Sequence, residues 1–426
     1  MFTSLKNKII NVDESKMYRR ATFWNMIASV LNSITSAVLL FFITRFCGVE
    51  YAGIFSIASA IAYQCLSLGN FGTRGLHASD VKHEYDFNDY FYLRLFSYFL
   101  LFCMLIYYSF LSGYSHEKAL IVFSFGLFKS VDVLEDLYHG EYHRNERLDI
   151  ASILLTFRYI TSIVSFILSI VITRNLLFSC IITTILTLII FILSNKGFIS
   201  LFFKDKYKFN FIKFKSLLLI LIPIVITNYI KLYITNAPKY SIDRCLGDVQ
   251  QAYFNVLFMP VFVINLMNDI IFRPYIPKFS IMWNDSNFKE FKKMVVKQLC
   301  IILGLTLIVI VGGYVIGLTL LEIIYQMELH TYMSQFILLL VGGGMSTVCS
   351  FLIFIMTIQR EQKKMAGVNI FVLVICLLFS DQLISTLGIS GAVVLYLLLN
   401  FIPMICFAII VVRKYYKQKK GTVINE

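Results

Sequence analysis

The sequence predicts an all-α integral membrane protein of about twelve transmembrane helices, with almost no soluble domain. Three observations predict it. Hydrophobic residues make up 58% of the 426 residues and charged residues only 15%, whereas a soluble chain carries about a quarter of its residues as charge. The mean hydropathy is +0.76, a surface that lipid solvates and water does not. Apolar runs of spanning length, about 20 residues, recur along the whole chain. Among the aromatics, the 40 Phe suit lipid-facing and packing surfaces. The 25 Tyr suit the headgroup region.

The spans are read near 20–44, 51–71, 91–111, 117–138, 150–173, 175–194, 216–235, 250–272, 296–318, 332–357, 367–386 and 390–412. The fourth is unusually charged, and the seventh contains Pro223 and Lys231. The first is no cleavable signal peptide, because Met1 to Arg20 is polar and the apolar run that follows is long enough to span.

The net charge of +13 does not call for nucleic acid. A bacterial cell-membrane protein becomes basic by keeping Lys and Arg in its cytoplasmic loops. With both termini cytoplasmic, the outside loops hold Arg45, Lys118, Arg174, Lys239 and Arg244, and the spans hold Lys129, Arg158 and Lys231. The other 30 of the 38 Lys and Arg then lie on the cytoplasmic side. Lys196, Lys204, Lys206, Lys208, Lys213 and Lys215 share one such loop.

That basic loop divides the chain. Residues 1–195 form an N-terminal six-helix lobe, 196–215 a basic cytoplasmic linker, 216–413 a C-terminal six-helix lobe and 414–426 a basic tail. Arg45-Phe-Cys-Gly48 before the second span is echoed by Arg244-Cys-Leu-Gly247 before the eighth. Each half holds an even number of spans, so the halves enter the membrane in the same direction, as parallel repeats do.

All six prolines fall in the second half, and Pro223 and Pro260 are expected to bend the seventh and eighth spans. Gly312-Gly313 and Gly342-Gly343-Gly344 mark either loosened or closely packed backbone. The nine cysteines have no metal or redox spacing. His139 and His143 stand four apart without the zinc-protease order or a third ligand, so no metal and no cofactor is expected. No Walker A motif is present.

Charges at membrane depth are costly, so they face a bundle interior or a watery cavity. Lys129, Asp132, Asp136, His139 and His143 fall within about 80° of helical arc on the fourth span, with Glu135 off that stripe. This face is either an internally paired stripe that fixes packing or a cavity lining, with Lys129 drawing an anion and Asp132 or Asp136 carrying protons. The first span has a polar stripe of Asn25, Ser29, Asn32 and Ser36, and the second one of Ser56, Ser59, Tyr63, Ser67 and Asn70. These either glue helices together or form a wall for sugar hydroxyls. Arg158 lies in the fifth span, Lys231 and Asn228 in the seventh, and Asp269 near the inner end of the eighth. The cations are expected to outnumber the neighbouring carboxylates, which suits a phosphate or pyrophosphate.

Asn236-Ala-Pro238-Lys239-Tyr240-Ser-Ile-Asp243-Arg244-Cys-Leu-Gly247 resembles the region between the seventh and eighth spans of polysaccharide flippases. So do Arg273-Pro274, the stretch Trp283-Asn284 with Phe288-Lys289-Glu290-Phe291-Lys292-Lys293, and the turn Gly48-Val-Glu50-Tyr51-Ala-Gly53. These flippases belong to the multidrug/oligosaccharidyl-lipid/polysaccharide exporter (MOP) superfamily. The resemblance implies two lobes around a central cavity, alternating access, and an undecaprenyl-pyrophosphate-linked oligosaccharide as substrate. That glycan would belong to capsule, O-antigen or a related surface polymer. It implies a monomer in contact with membrane lipid, with a polymerase or glycosyltransferases as neighbours and no enzymatic activity of its own.

On this reading the pyrophosphate is drawn to Lys129, Arg158 and Lys231. The sugar lies against Asn25, Asn32, Tyr63 and Asn228, and Asp132, Asp136 or Asp269 couples to an ion gradient. Two alternatives remain. A cation-coupled multidrug exporter of the same superfamily would favour a more acidic interior. A membrane glycan polymerase or ligase would need a long external loop, and no outside loop here exceeds roughly 15 residues.

Overall fold

The computed structural model describes residues 14–80, 82–199, 208–272 and 275–425, with side chains undescribed at 14, 15, 199, 265–272, 276 and 420–425. Among the described residues there is helix and no strand. This is the only economical way to satisfy backbone groups in a hydrocarbon solvent short of a closed barrel. The first helices are α1 (Glu14–Phe46), α2 (Val49–Asn70), the short α3 (Thr73–Ser79), α4 (Phe87–Phe110), α5 (His116–Arg144), α6 (Leu148–Thr173) and α7 (Leu176–Ile199). Then come α8 (Phe211–Cys245), α9 (Asp248–Phe272), α10 (Ile276–Asn284), α11 (Phe288–Gly312), α12 (Leu318–Tyr325), α13 (Met333–Ile358), α14 (Gln362–Leu387) and α15 (Ile389–Asn425).

Ten helical stretches among the described residues are long and apolar enough to cross a membrane. Two more helices, α5 with 29 residues and α9 with 25, have the length but are not among these ten. α5 carries the charges that build the site described below.

The chain forms two compact units, Met1–Tyr229 and Ile230–Glu426. They meet inside α8, beyond the basic stretch at 196–215. The cause is apolar: Leu217, Leu221 and Val225 of α8 are buried with Phe71, Tyr85, Phe87, Tyr90, Leu93 and Leu137. Lys213 adds ion pairs to Asp86 at 2.9 Å and Asp89 at 3.4 Å. Lys204 and Lys206 of the basic loop lie outside the described residues, as do Arg273 and Pro274.

The packing of helices repeats. In the first unit α2 packs on α5, α4 on α5, α5 on α7 and α6 on α7. In the second, α9 packs on α13, α11 on α13, α13 on α15 and α14 on α15. Each of these four pairings has its counterpart in the second unit. The Arg-x-x-Gly turns repeat as well, bond for bond. Gly48 has φ 98° and Gly247 φ 85°, a left-handed region open to glycine at little cost. Gly48 N–H donates to Ile43 O at 3.2 Å, as Gly247 N–H does to Ile242 O. Ala52 N–H donates to Gly48 O at 3.2 Å, as Gln251 N–H does to Gly247 O. A match of four letters in sequence is thus one turn used twice.

In the second unit, close packing explains the glycine triplet of α13. A Cβ at Gly342 would meet Tyr396 at 2.7 Å, at Gly343 Ile264 at 3.1 Å, and at Gly344 Thr306 at 2.5 Å. Three neighbouring helices approach α13 where it has no side chains. At the Gly312-Gly313 pair α11 gives way to a π-helical turn, Gly313–Gly317, and a Cβ at Gly313 would meet Leu340 at 2.6 Å. Outside the spans, Glu361 binds Lys364 at 2.8 Å and Lys414 at 3.1 Å. The Lys364 hydrogen bond above all holds its carboxyl below the usual carboxylate range.

Candidate functional site

The charges of α5 lie inside the first unit, and they are paired. Arg158 of α6 is 2% exposed. It ion-pairs through Nη2 with Asp132 at 2.5 Å and through Nε with Glu135. Lys129, also 2% exposed, reaches Asp132 at 3.8 Å and lies 5.5 Å from the centre of the Tyr63 ring. Asp136 is shared. One carboxylate oxygen accepts from Arg74 Nη1 of α3 at 3.0 Å, and the other from Arg94 Nη2 of α4 at 2.7 Å. Arg74 Nη2 also lies 3.4 Å from His139 Nε2.

The local sequence explains the arrangement. α5 presents residues of two faces to two different neighbours. Residues 132 and 136 share a stripe. Asp132 and Glu135 both reach the guanidinium of α6, and Asp136 looks toward the break between α2 and α3. That break comes from two successive left-handed residues, Phe71 at φ 49° and Gly72 at φ 63°. It leaves the Gly69 carbonyl without a helical donor. Arg94 Nη1 donates to it at 2.6 Å and Ser97 Oγ at 2.7 Å, while Arg94 Nη2 also donates to Thr73 Oγ1 at 2.6 Å. A buried guanidinium thus repairs the broken helix and neutralises Asp136.

Charge balance in this layer can be counted. Arg74, Arg94, Lys129 and Arg158 are four cations, and Asp132, Glu135 and Asp136 are three carboxylates, so one positive charge is left over. The sequence suggests an excess of cations but builds it from other residues. It placed Glu135 off the working stripe, yet Glu135 faces Arg158. It left out Arg74 and Arg94, whose positions near the ends of the second and third spans look cytoplasmic in a hydropathy trace. The signal that could have found them is the three carboxylates within five positions of one span, which demand several buried cations.

A second paired cluster lies one turn further along α5. Glu141 accepts from His77 Nε2 at 3.0 Å and from Arg144 Nη2 at 2.7 Å. His77 stacks on Tyr90 with ring centres 4.0 Å apart. Asp80, just beyond α3, lies 3.9 Å from Arg144. Burial raises the Asp80 pKa, but the Tyr85 and Glu84 N–H groups, Tyr90 and Arg144 outweigh it and hold the carboxyl below its usual range. His143 is exposed. No group of three or more His, Cys, Asp or Glu among the described residues could hold a metal ion.

The two polar stripes separate. On α1, Asn25, Ser29 and Asn32 are exposed and Ser36 is half-buried, so they are not packing glue. On α2, Ser56 and Ser59 are buried, while Tyr63, Ser67 and Asn70 are half-buried. Tyr63 is the member of that stripe that meets the charged layer. Asn228 and Lys231 are exposed on α8. Asp269 lies in α9 outside the described side chains.

Lys239 corrects the sequence topology. It was assigned to an outside loop, but α8 runs on through Pro238 to Cys245, and Lys239 is 7% exposed. Its ammonium donates to Asn255 Oδ1 at 2.7 Å and lies 5.8 Å from the ring centres of Phe258 and Phe262. No carboxylate pairs with it among the described residues. Aromatic faces and an amide replace the counter-ion.

No family model matches the chain. It is 20% identical over 385 residues to the capsular polysaccharide biosynthesis protein CapF of Staphylococcus aureus, covering 89% of this chain and 96% of that one. The lipid II flippase MurJ, in an inward closed conformation, matches with a TM-score of 0.69 at 14% identity, over 94% of this chain and 91% of that one. A multidrug resistance MATE family transporter of the MOP superfamily, in an inward-facing conformation, matches with a TM-score of 0.66 at 13% identity, over 93% and 99%. At such identities the likeness is one of fold. The chain is a multi-pass membrane protein whose fold is that of these two transporters.

Proposed function

We propose that the chain carries an undecaprenyl-pyrophosphate-linked oligosaccharide from the cytoplasmic to the outer leaflet of a bacterial cell membrane, by alternating access, to supply capsule or a related surface glycan. The observation that carries this reading is the charged layer of the first unit. It is embedded among apolar helices and keeps one cation more than its carboxylates neutralise. A layer in which cations outnumber carboxylates suits an anionic headgroup better than the cationic substrates of a drug exporter.

The exposed stripe of Asn25, Ser29 and Asn32 supports the reading, because amides and hydroxyls facing lipid would be costly while a sugar satisfies them. Asn228, Lys231 and Tyr63 extend that polar surface. Lys129 and Arg158 act on the pyrophosphate through the field they set up rather than through open contacts. Asp132 and Asp136 are each held by a guanidinium, and together with Asp269 they form the set proposed to couple transport to an ion gradient. On the topology read from the sequence the outside connections are short, the longest being the stretch from Gln326 to Tyr332 that includes a 3-10 turn. Such connections give little room for the catalytic loop of a polymerase.

Deleting the gene tests the reading. The expected outcome is loss of surface glycan with the lipid-linked repeat unit trapped at the cytoplasmic face, restored by the intact gene. Normal surface glycan together with raised sensitivity to cationic drugs would favour the exporter reading instead.

A further inference from the structure

We infer that Arg74 is the residue that binds the pyrophosphate directly, by leaving Asp136 for the substrate. This rests on the lipid-linked substrate proposed above. Three observations carry it.

The first is exposure. Side chains of Arg94, Lys129 and Arg158 are 3%, 3% and 2% exposed, whereas that of Arg74 is 41% exposed. It is the cation of the layer that presents a guanidinium to the outside of the bundle. The second is redundancy. Asp136 binds Arg74 with one oxygen and buried Arg94 with the other. When Arg74 leaves, Asp136 keeps its guanidinium at 2.7 Å, so no buried charge is orphaned. Arg158 has no such freedom, because its departure would strand Glu135. The third is the charge count. Without Arg74 the layer holds Arg94, Lys129 and Arg158 against Asp132, Glu135 and Asp136, three against three. The departure of Arg74 therefore leaves the rest of the layer balanced.

Its setting suits movement. α3 has seven residues and is joined to α2 through left-handed Phe71 and Gly72. A Cβ at Gly75, next to Arg74, would meet nothing within 4 Å. A planar guanidinium offers two parallel donors to adjacent phosphate oxygens, which an ammonium cannot match.

The test uses the full-length protein in phosphatidylcholine nanodiscs with undecaprenyl pyrophosphate as the probe and neutral undecaprenol as the control. Wild type is expected to bind the pyrophosphate lipid more tightly than undecaprenol. Arg74→Gln should weaken the pyrophosphate lipid roughly tenfold or more, leave undecaprenol binding unchanged and keep the unfolding temperature near wild type. Arg74→Lys should recover only part of the loss. Equal binding of undecaprenyl pyrophosphate by wild type and Arg74→Gln would overturn the assignment. So would a loss seen only when phosphatidylglycerol is added, which would give Arg74 to bulk anionic lipid. If wild type itself does not prefer the pyrophosphate lipid, the substrate reading fails, and this assignment with it.

Discussion

Arg158→Ala is expected to give a protein that folds poorly, with the largest loss of stability of any single change in the first unit. Removing the guanidinium leaves Glu135 buried without a partner, while Asp132 keeps Lys129 at 3.8 Å. Breaking a buried ion pair from one side costs about 3–5 kcal/mol, a large fraction of the stability of a typical domain. The unfolding midpoint in detergent and the monodisperse fraction on size-exclusion chromatography measure the effect. The double variant Arg158→Met with Glu135→Leu removes both charges and keeps the volume. It should recover most of the stability, because a hydrophobic pair can replace a buried ion pair at little cost. If Arg158→Ala unfolds like wild type, the pairing described for α5 and α6 is wrong.

Arg94→Ala is the second large effect, and its cause is different. Arg94 satisfies a backbone group as well as a carboxylate. Its loss takes one donor from the Gly69 carbonyl, one from Thr73 and one from Asp136. Ser97 still donates to Gly69, and Arg74 still reaches Asp136. A loss of about 2–4 kcal/mol follows from buried charge-assisted hydrogen bonds of this kind. Arg94→Lys should restore the charge opposite Asp136 but not the fork that holds the break between α2 and α3, and so recover only part of the midpoint. Thermal unfolding of the two variants beside wild type checks the order: wild type above Lys above Ala. Equal midpoints for Lys and wild type would show that charge alone is needed there.

These two arginines mark where reading the sequence succeeds and where it stops. Helices, their approximate limits and the repeated turn at Gly48 and Gly247 are local properties, set by hydropathy, helical period and a glycine-permitted φ. They are legible. The polar residues of α5 are legible too, because charge at membrane depth is rare. Their partners are not, since pairing depends on which face of α4 and α6 meets α5. Glu135 sits only about 40° beyond the edge of the α5 stripe at 100° per residue, which is near enough to change partners rather than to leave the interior. Lys239 was misplaced for a related reason. Asn236, Pro238, Lys239, Ser241, Asp243 and Arg244 end the apolar run, yet the backbone stays helical, and Phe258 and Phe262 of the next helix shelter the ammonium. Hydropathy reports the composition of a segment and not the company it keeps.

The division of labour among the cations follows from the same geometry. Buried Arg158 and Arg94 hold the helices together, Lys129 leans on Tyr63 and Asp132, and half-exposed Arg74 is left to meet a ligand. An interior built this way is rigid where two carboxylates grip one arginine and exchangeable where two arginines share one carboxylate.

The most direct measurement is translocation by the purified protein in liposomes that carry an undecaprenyl-pyrophosphate-linked oligosaccharide in the inner leaflet alone. Accessibility of the glycan to a membrane-impermeant glycosidase reports its arrival outside. The account predicts that the accessible fraction rises with time well above protein-free liposomes and that the rise is lost in Arg74→Gln. An accessible fraction no greater than in protein-free liposomes, in a preparation that does move a lipophilic cation, would contradict it.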